Sequence, residues 1–275
     1  MITRRNLLLA GLGAVAVSAL PAVPAFAAFK NIPLCLQLYT VGGYFGKDPE
    51  GVMKKVAEMG YKGVEYAGFP RSAKDLRKMQ DDNGLICSGS HTGRGAIENL
   101  EALKKTIENH VTLGAKFIIC PGMGNDGIDG WAKAGENFAK AAEEAAKAGL
   151  YVGYHAHQHD FNIVDPATNR SSWEVFADAS GDKVMLQIDL GHCVNKGADP
   201  YKLIEKYPGR SKTVHLKESD GLIMGDAKGR VDWKRAFGLL ESVGGAETYT
   251  IEYEAGVDRL EASKLSADAY YKIHG

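Results

Sequence analysis

Residues 151–161 read YVGYHAHQHDF and place His155, His157 and His159 at a spacing of two. Alternate side chains of a β-strand share a face, so this spacing can aim three imidazoles at one point, where a metal ion would fit. Three later stretches carry further ligand types: QIDLGH (187–192) with Asp189 and His192, VHLKE (214–218) with His215, Lys217 and Glu218, and TIEYE (250–254) with Glu252 and Glu254. His155, Asp189, His215 and Glu252 together form a mixed nitrogen and oxygen set. It suits one divalent ion among Mn²⁺, Co²⁺, Ni²⁺, Fe²⁺, Zn²⁺ and Mg²⁺ and is too hard for Cu⁺.

Eight short apolar runs must position these residues: PLCLQLYT (33–40), KGVEYAG (62–68), GLICSGS (84–90), KFIICPG (116–122), YVGYHAH (151–157), VMLQIDL (184–190), TVHLKE (213–218) and TYTIEYE (248–254). Between them lie amphipathic stretches such as PEGVMKKVAEMG and WAKAGENFAKAAEEAAKAG, which end near glycines as helices do. Eight strand-helix units at a spacing of about 30 residues predict an α/β fold, a single (β/α)₈ TIM barrel over residues 28–275. The rival, a doubly wound open sheet, lacks a G-x-G-x-x-G opening a helix after an early strand. Active sites of such barrels lie at the C-terminal ends of the strands. Those ends offer Gln37 and Tyr39, Glu65, His91, the loop GMGND, His155 and His157, Asp189 and His192, His215 with Lys217 and Glu218, and Glu252 with Glu254. His110 and His274 fall in helical stretches, and His159 passes into a loop. Local explanations exist, with Asp189 as a cap, Glu252 paired with Lys217 and the histidines bonded to backbone. They must hold four times on four adjacent strands, so metal binding is the stronger reading.

Arg4 and Arg5, the apolar run Leu7 to Leu20 and the small residues Ala25 and Ala27 make residues 1–27 read as a signal peptide. The paired arginines in TRRNLLLA resemble a twin-arginine signal, which exports folded proteins, and so predict a periplasmic or exported chain. An ordinary secretory signal and an uncleaved anchor are the alternatives. No later segment approaches the roughly 18 apolar residues of a membrane span. Without Arg4 and Arg5, the 33 basic and 34 acidic residues leave a formal charge of −3, which gives no footprint for nucleic acid. The scattered Cys35, Cys87, Cys120 and Cys193 form no C-x-x-C pair and read as buried thiols, a disulfide remaining open.

In order and strand position, LQLYTVG, KGVEYAG, GYHAHQHDF, QIDLGH, VHLKE, GRVDW and TIEYE resemble the xylose-isomerase-like barrels, the sugar phosphate isomerase/epimerase or AP-endonuclease-2-type proteins. The resemblance covers essentially all of residues 28–275. It implies one divalent cation held by one residue each from strands five to eight, often Glu, Asp, His and Glu. Here those positions are His155, Asp189, His215 and Glu252. Isomerases and epimerases of the family are thought to work with glutamates of strands five and eight on opposite faces of a metal-bound enediolate. With His155 at the first position, that pair is incomplete.

A reaction needing one base fits better. A metal would acidify the carbon next to a sugar carbonyl, and Glu252, Glu65 or Lys217 would remove the proton. A leaving group on the β-carbon then departs, the chemistry expected of the family's exported 3-keto-glycoside lyases. The alternatives are an isomerase or epimerase on free ketoses or aldoses and a non-catalytic sugar-binding protein. Endonuclease IV shares the fold, and IDLGH matches its D-x-x-H; yet VDWKR places Lys234 where its D-x-H needs histidine, so a DNA-repair role is not expected. The partner is a small carbohydrate, and a homo-oligomer remains open. For substrate contact the candidates are His192, His157, His91, Tyr39 and Trp233. Glu65 and His91 would touch sugar hydroxyls or pair with each other, while Trp233, Trp131, Tyr39 and Phe161 stay open between sugar stacking and core packing.

Overall fold

The computed structural model describes residues 29–124, 127–256 and 258–275. The signal-peptide reading of residues 1–27 therefore lies outside the described residues, as do Asn125 and Asp126 of the GMGND loop. Among the described residues ten strands form: β1 (Leu34–Gln37), β2 (Gly63–Tyr66), β3 (Ile86–His91), β4 (Phe117–Cys120), β5 (Tyr151–His155), β6 (Ile163–Asp165), β7 (Arg170–Ser171), β8 (Met185–Gln187), β9 (Thr213–Leu216) and β10 (Thr248–Ile251). Eight of them pair in parallel in the order β8-β5-β4-β3-β2-β1-β10-β9. A parallel bridge between Asp189 and His215 and the bond from His215 N–H to Ile188 O (3.0 Å) join the two ends. The result is a (β/α)₈ barrel, with β6 and β7 as an added antiparallel hairpin after β5.

All eight expected strands are present; seven end earlier than their apolar runs, and β3 extends one residue further, to His91. His157, Asp189, Lys217, Glu218, Glu252 and Glu254 lie just beyond the strand ends. The helices form where capping chemistry starts them: Asp48 accepts from Gly51 N–H ahead of Pro49–Glu58, and Ser72 caps Ala73–Asp82. Leu100–Leu113 ends on Gly114 in the left-handed region (φ 73°).

Period-two alternation stacks the barrel interior in levels. Phe117, Ile119, Met185 and Tyr151 form a small apolar cluster of their own, separate from the large core between strands and helices. Two residues along β8 comes Gln187, fully buried with Gln37 and Glu65, and two further comes Asp189. Gly153 allows β5 to approach β8, since a Cβ there would lie 2.5 Å from Met185 O. The four cysteines are buried free thiols, and burial pushes Cys35 up to about 12.

Arg210 fastens the start of β8 to the helix Ser172–Ser180. Buried itself, it donates to Val184 O (2.8 Å), Ala177 O (2.8 Å) and Ser180 Oγ (2.7 Å). Arg210→Met keeps most of the stem but strands these acceptors. A loss of about 3 kcal/mol is expected, read as a lower urea midpoint at unchanged slope. No helix among the described residues is long and apolar enough to cross a membrane.

Candidate metal centre

Four strand ends supply the centre. His155 closes β5, Asp189 follows β8 and caps the helix Leu190–Lys196 through Oδ1, His215 lies in β9 and Glu252 follows β10. One ligand atom from each of the four lies within 4.8 Å of all the others, and all four residues are buried. His215 Nδ1 is 3.1 Å from Glu252 Oε2 and 3.9 Å from Asp189 Oδ2. Gly191 lets the Asp189 helix sit against the loop after β9, because a Cβ there would meet Glu218 O at 2.6 Å.

Electrostatics favour a cation at this point. Burial, followed by nearby His215, holds His155 well below the usual histidine range, and its Nδ1 has no hydrogen-bond partner. Asp189 Oδ2 is likewise buried without a hydrogen bond. Burial opposes ionisation of Glu252, but His215 and Lys217 override it and hold the carboxyl well below its usual range. Burial also opposes charge on His215, yet Glu65 and Glu252 raise it to about 10. Lys217 follows the same logic: burial disfavours the ammonium, and Asp189 (3.6 Å), Glu252 (3.0 Å) and Glu254 (2.5 Å) raise its pKa. A buried imidazole nitrogen and a buried carboxylate oxygen, neither of them hydrogen-bonded, in a cluster with a surplus of carboxylates fit a divalent ion, which His155, Asp189, His215 and Glu252 would hold.

The other expected site residues divide. His157 stands edge-on to His155 with ring centroids 4.6 Å apart, and burial, then His192, push it down to about 4. His192 Nε2 is 3.1 Å from Lys217 Nζ, and its ring is 5.3 Å from that of His157. His91 pairs with Glu65 at 3.2 Å, the second of the two roles considered for them. Its ring also neighbours His155 at 5.4 Å, and His91, His155 and His215 form an alternative three-ligand group. His159 is exposed beside Asp160. Tyr39, 54% exposed, lines a concavity of about 420 Å³ with Leu38, Phe45, Tyr66 and Phe69.

Glu65 is fully buried and accepts from Gln37 Nε2 (2.8 Å), Gln187 Nε2 (2.8 Å) and His215 Nε2 (2.8 Å). The expectation that Trp233 faces a sugar is corrected: it is 6% exposed, packs near Phe237 and donates its indole N–H to Glu218 at 2.9 Å. Trp131 and Phe161 are core residues too, against Tyr154 and Trp173. Gln187 escaped the sequence reading, although it stands two residues before Asp189 on the same face. Glu218 gathers the backbone N–H groups of Ser219, Arg230 and Val231 with the Trp233 indole, anchoring the loop after β9.

A (β/α)₈ barrel with histidines and carboxylates converging at its C-terminal end defines a class of small-molecule enzyme folds. Within it, the chain belongs to the family described as Xylose isomerase-like TIM barrel, which matches residues 53–273. It is 27% identical over 231 residues to the rhizopine catabolism protein MocC of Rhizobium meliloti, covering 76% of this chain and 67% of that one. An inosose dehydratase of Lacticaseibacillus casei is 24% identical over 191 residues, 62% of this chain and 63% of its own length. The chain thus spans about two thirds of these relatives. A crystal structure of a sugar phosphate isomerase/epimerase from Parabacteroides distasonis superposes with a TM-score of 0.79 at 26% identity, covering 92% of this chain and 98% of that chain.

Proposed function

We propose that this protein is a divalent-metal-dependent carbohydrate enzyme that removes a proton next to a sugar carbonyl and expels a group from the β-carbon, acting on 3-keto-glycosides. The observation that carries the reading is the asymmetry of the centre: His155, held well below the usual histidine range by burial, stands on β5 where a two-base isomerase would need a second carboxylate. The relative named inosose dehydratase supports elimination as a chemistry of this family.

His155, Asp189, His215 and Glu252 would hold the cation, which would supply Lewis acidity at the sugar carbonyl. Glu252, kept ionised by His215 and Lys217, accepts the C2 proton. The C–H electrons form the C1–C2 double bond, the C1–O bond breaks, and the departing oxygen collects a proton from the Lys217 ammonium beside it. His157, on the loop after β5, and His192, in the first turn of the helix Leu190–Lys196, bind sugar hydroxyls. Glu65 is left out of proton transfer, because it lies beneath the cluster with its oxygens already occupied.

The assay is metal-stripped protein reloaded with a panel of divalent cations and given 3-keto-glucosides or free ketoses. Aglycone release from the former alone is the expected result. Interconversion of free ketoses with solvent proton exchange would replace this reading with the isomerase or epimerase one, which the sugar phosphate isomerase/epimerase neighbour favours. No metal dependence with either substrate would overturn the site assignment.

Export follows from the same proposal, since glycosides are available outside the inner membrane. If residues 1–27 are a twin-arginine signal, replacing Arg4 and Arg5 by lysine retains the chain in the cytoplasm. Unchanged export in a cell fractionation would rule that route out.

A further inference from the structure

We propose that Glu65 is a positioning residue that selects the tautomer of His215 and so presents the Nδ1 lone pair to the cation; the inference rests on the metal-centre reading above. Glu65 occupies the middle of the barrel, one level below the ligands, and is fully buried. Its Oε1 receives Gln37 Nε2 and His215 Nε2, each at 2.8 Å, with His91 Nε2 at 3.2 Å. Its Oε2 receives Gln187 Nε2 at 2.8 Å, with the Thr250 hydroxyl at 3.5 Å. Five strands besides its own therefore converge on one carboxylate.

The direction of each bond is determined. Gln37 Oε1 accepts the Tyr39 N–H at 3.1 Å, so the other end of that amide, its NH₂, faces Glu65. Gln187 Nε2 also reaches Thr213 Oγ1 at 3.2 Å, which ties its NH₂ to the same side. An ionised carboxylate only accepts, so His215 must donate Nε2–H to it. Glu252 accepts on the other side, its Oε2 3.1 Å from Nδ1, so the metal-free ring carries N–H on both nitrogens; a cation taken up between Glu252 and Asp189, which lies 3.9 Å from Nδ1, would displace the Nδ1 proton, while the bond to Glu65 keeps the remaining hydrogen on Nε2. A carboxylate behind a ligating histidine fixes ring orientation and tautomer, and its loss typically weakens metal binding about 10–100-fold.

Two measurements on the full chain test this. In ¹⁵N-histidine-labelled protein titrated with Zn²⁺, with His215 assigned by its absence from the His215→Gln spectrum, Nδ1 should shift on metal uptake while Nε2 keeps its proton. In Glu65→Gln, calorimetric Zn²⁺ affinity should fall about 10–100-fold and the tautomer signature of His215 should become mixed. A purely structural role would lower the melting temperature of the metal-free variant and leave zinc affinity and tautomer as in wild type, which would overturn the proposal. A zinc-dependent shift at Nε2 in the wild type would overturn it even if the variant failed to fold. Absence of any zinc uptake by the wild type would overturn the metal-centre reading, and this one with it.

Discussion

Glu252→Gln is expected to lower metal-dependent turnover by about 10²–10⁴-fold, the range in which a positioned general base contributes, while the protein stays folded and keeps its ion. The amide retains an oxygen for the ion and for the Lys217 ammonium, which lies 3.0 Å from Glu252 Oε2. What it loses is the ability to take up a proton. Turnover and metal content measured on one preparation separate the two roles given to this residue. Turnover close to that of the wild type would remove Glu252 as the base. A wild-type chain that binds both metal and sugar without turnover would make the protein a binder instead.

The second large effect is expected at Asp189, whose two oxygens do different jobs. Oδ1 accepts the His192 N–H at 2.7 Å and caps the helix Leu190–Lys196, while Oδ2 is buried, without a hydrogen bond, and turned toward the cluster, 3.6 Å from Lys217 Nζ. Asp189→Asn keeps the capping oxygen and replaces the other with an NH₂ that repels both Lys217 and a cation. Fold stability should change by no more than about 1 kcal/mol, the usual worth of a cap. Divalent-ion affinity should fall by at least about 100-fold, the upper limit seen when only groups behind the ligands are altered. Equilibrium dialysis with the ion panel and a urea melt on the same variant give both numbers. Unchanged ion affinity would take Asp189 out of the ligand set and leave it as a cap alone.

Both predictions concern residues visible from the sequence, and the reason is geometric. A parallel barrel places the C-terminal end of every strand on one face, so a polar residue closing an apolar run is already assigned to the site. His155, Asp189, His215 and Glu252 met that condition although about a hundred residues separate the first from the last. At Trp233 the choice between sugar stacking and core packing stayed open, because a tryptophan after GRVD gives no sign that a buried glutamate, Glu218, will claim its indole N–H. Glu65 was visible, but its direction along the barrel axis was not. A strand end shows which face a side chain takes, and says nothing of whether its carboxylate meets substrate or disappears into a layer of glutamines.

Period-two alternation, strand-end polarity and helix capping are local properties, so the sequence by itself determined the eight strand-helix units, the end of the barrel that carries chemistry and the four residues that converge there. Which nitrogen of His215 faces the centre, which oxygen of Asp189 is left without a hydrogen bond, and the placing of Gln37, Gln187 and Glu65 beneath the ligands were decided only by tertiary structure. Those features depend on distances between strands far apart in the chain, and they arise only when barrel closure brings β9 beside Asp189 and across from β2.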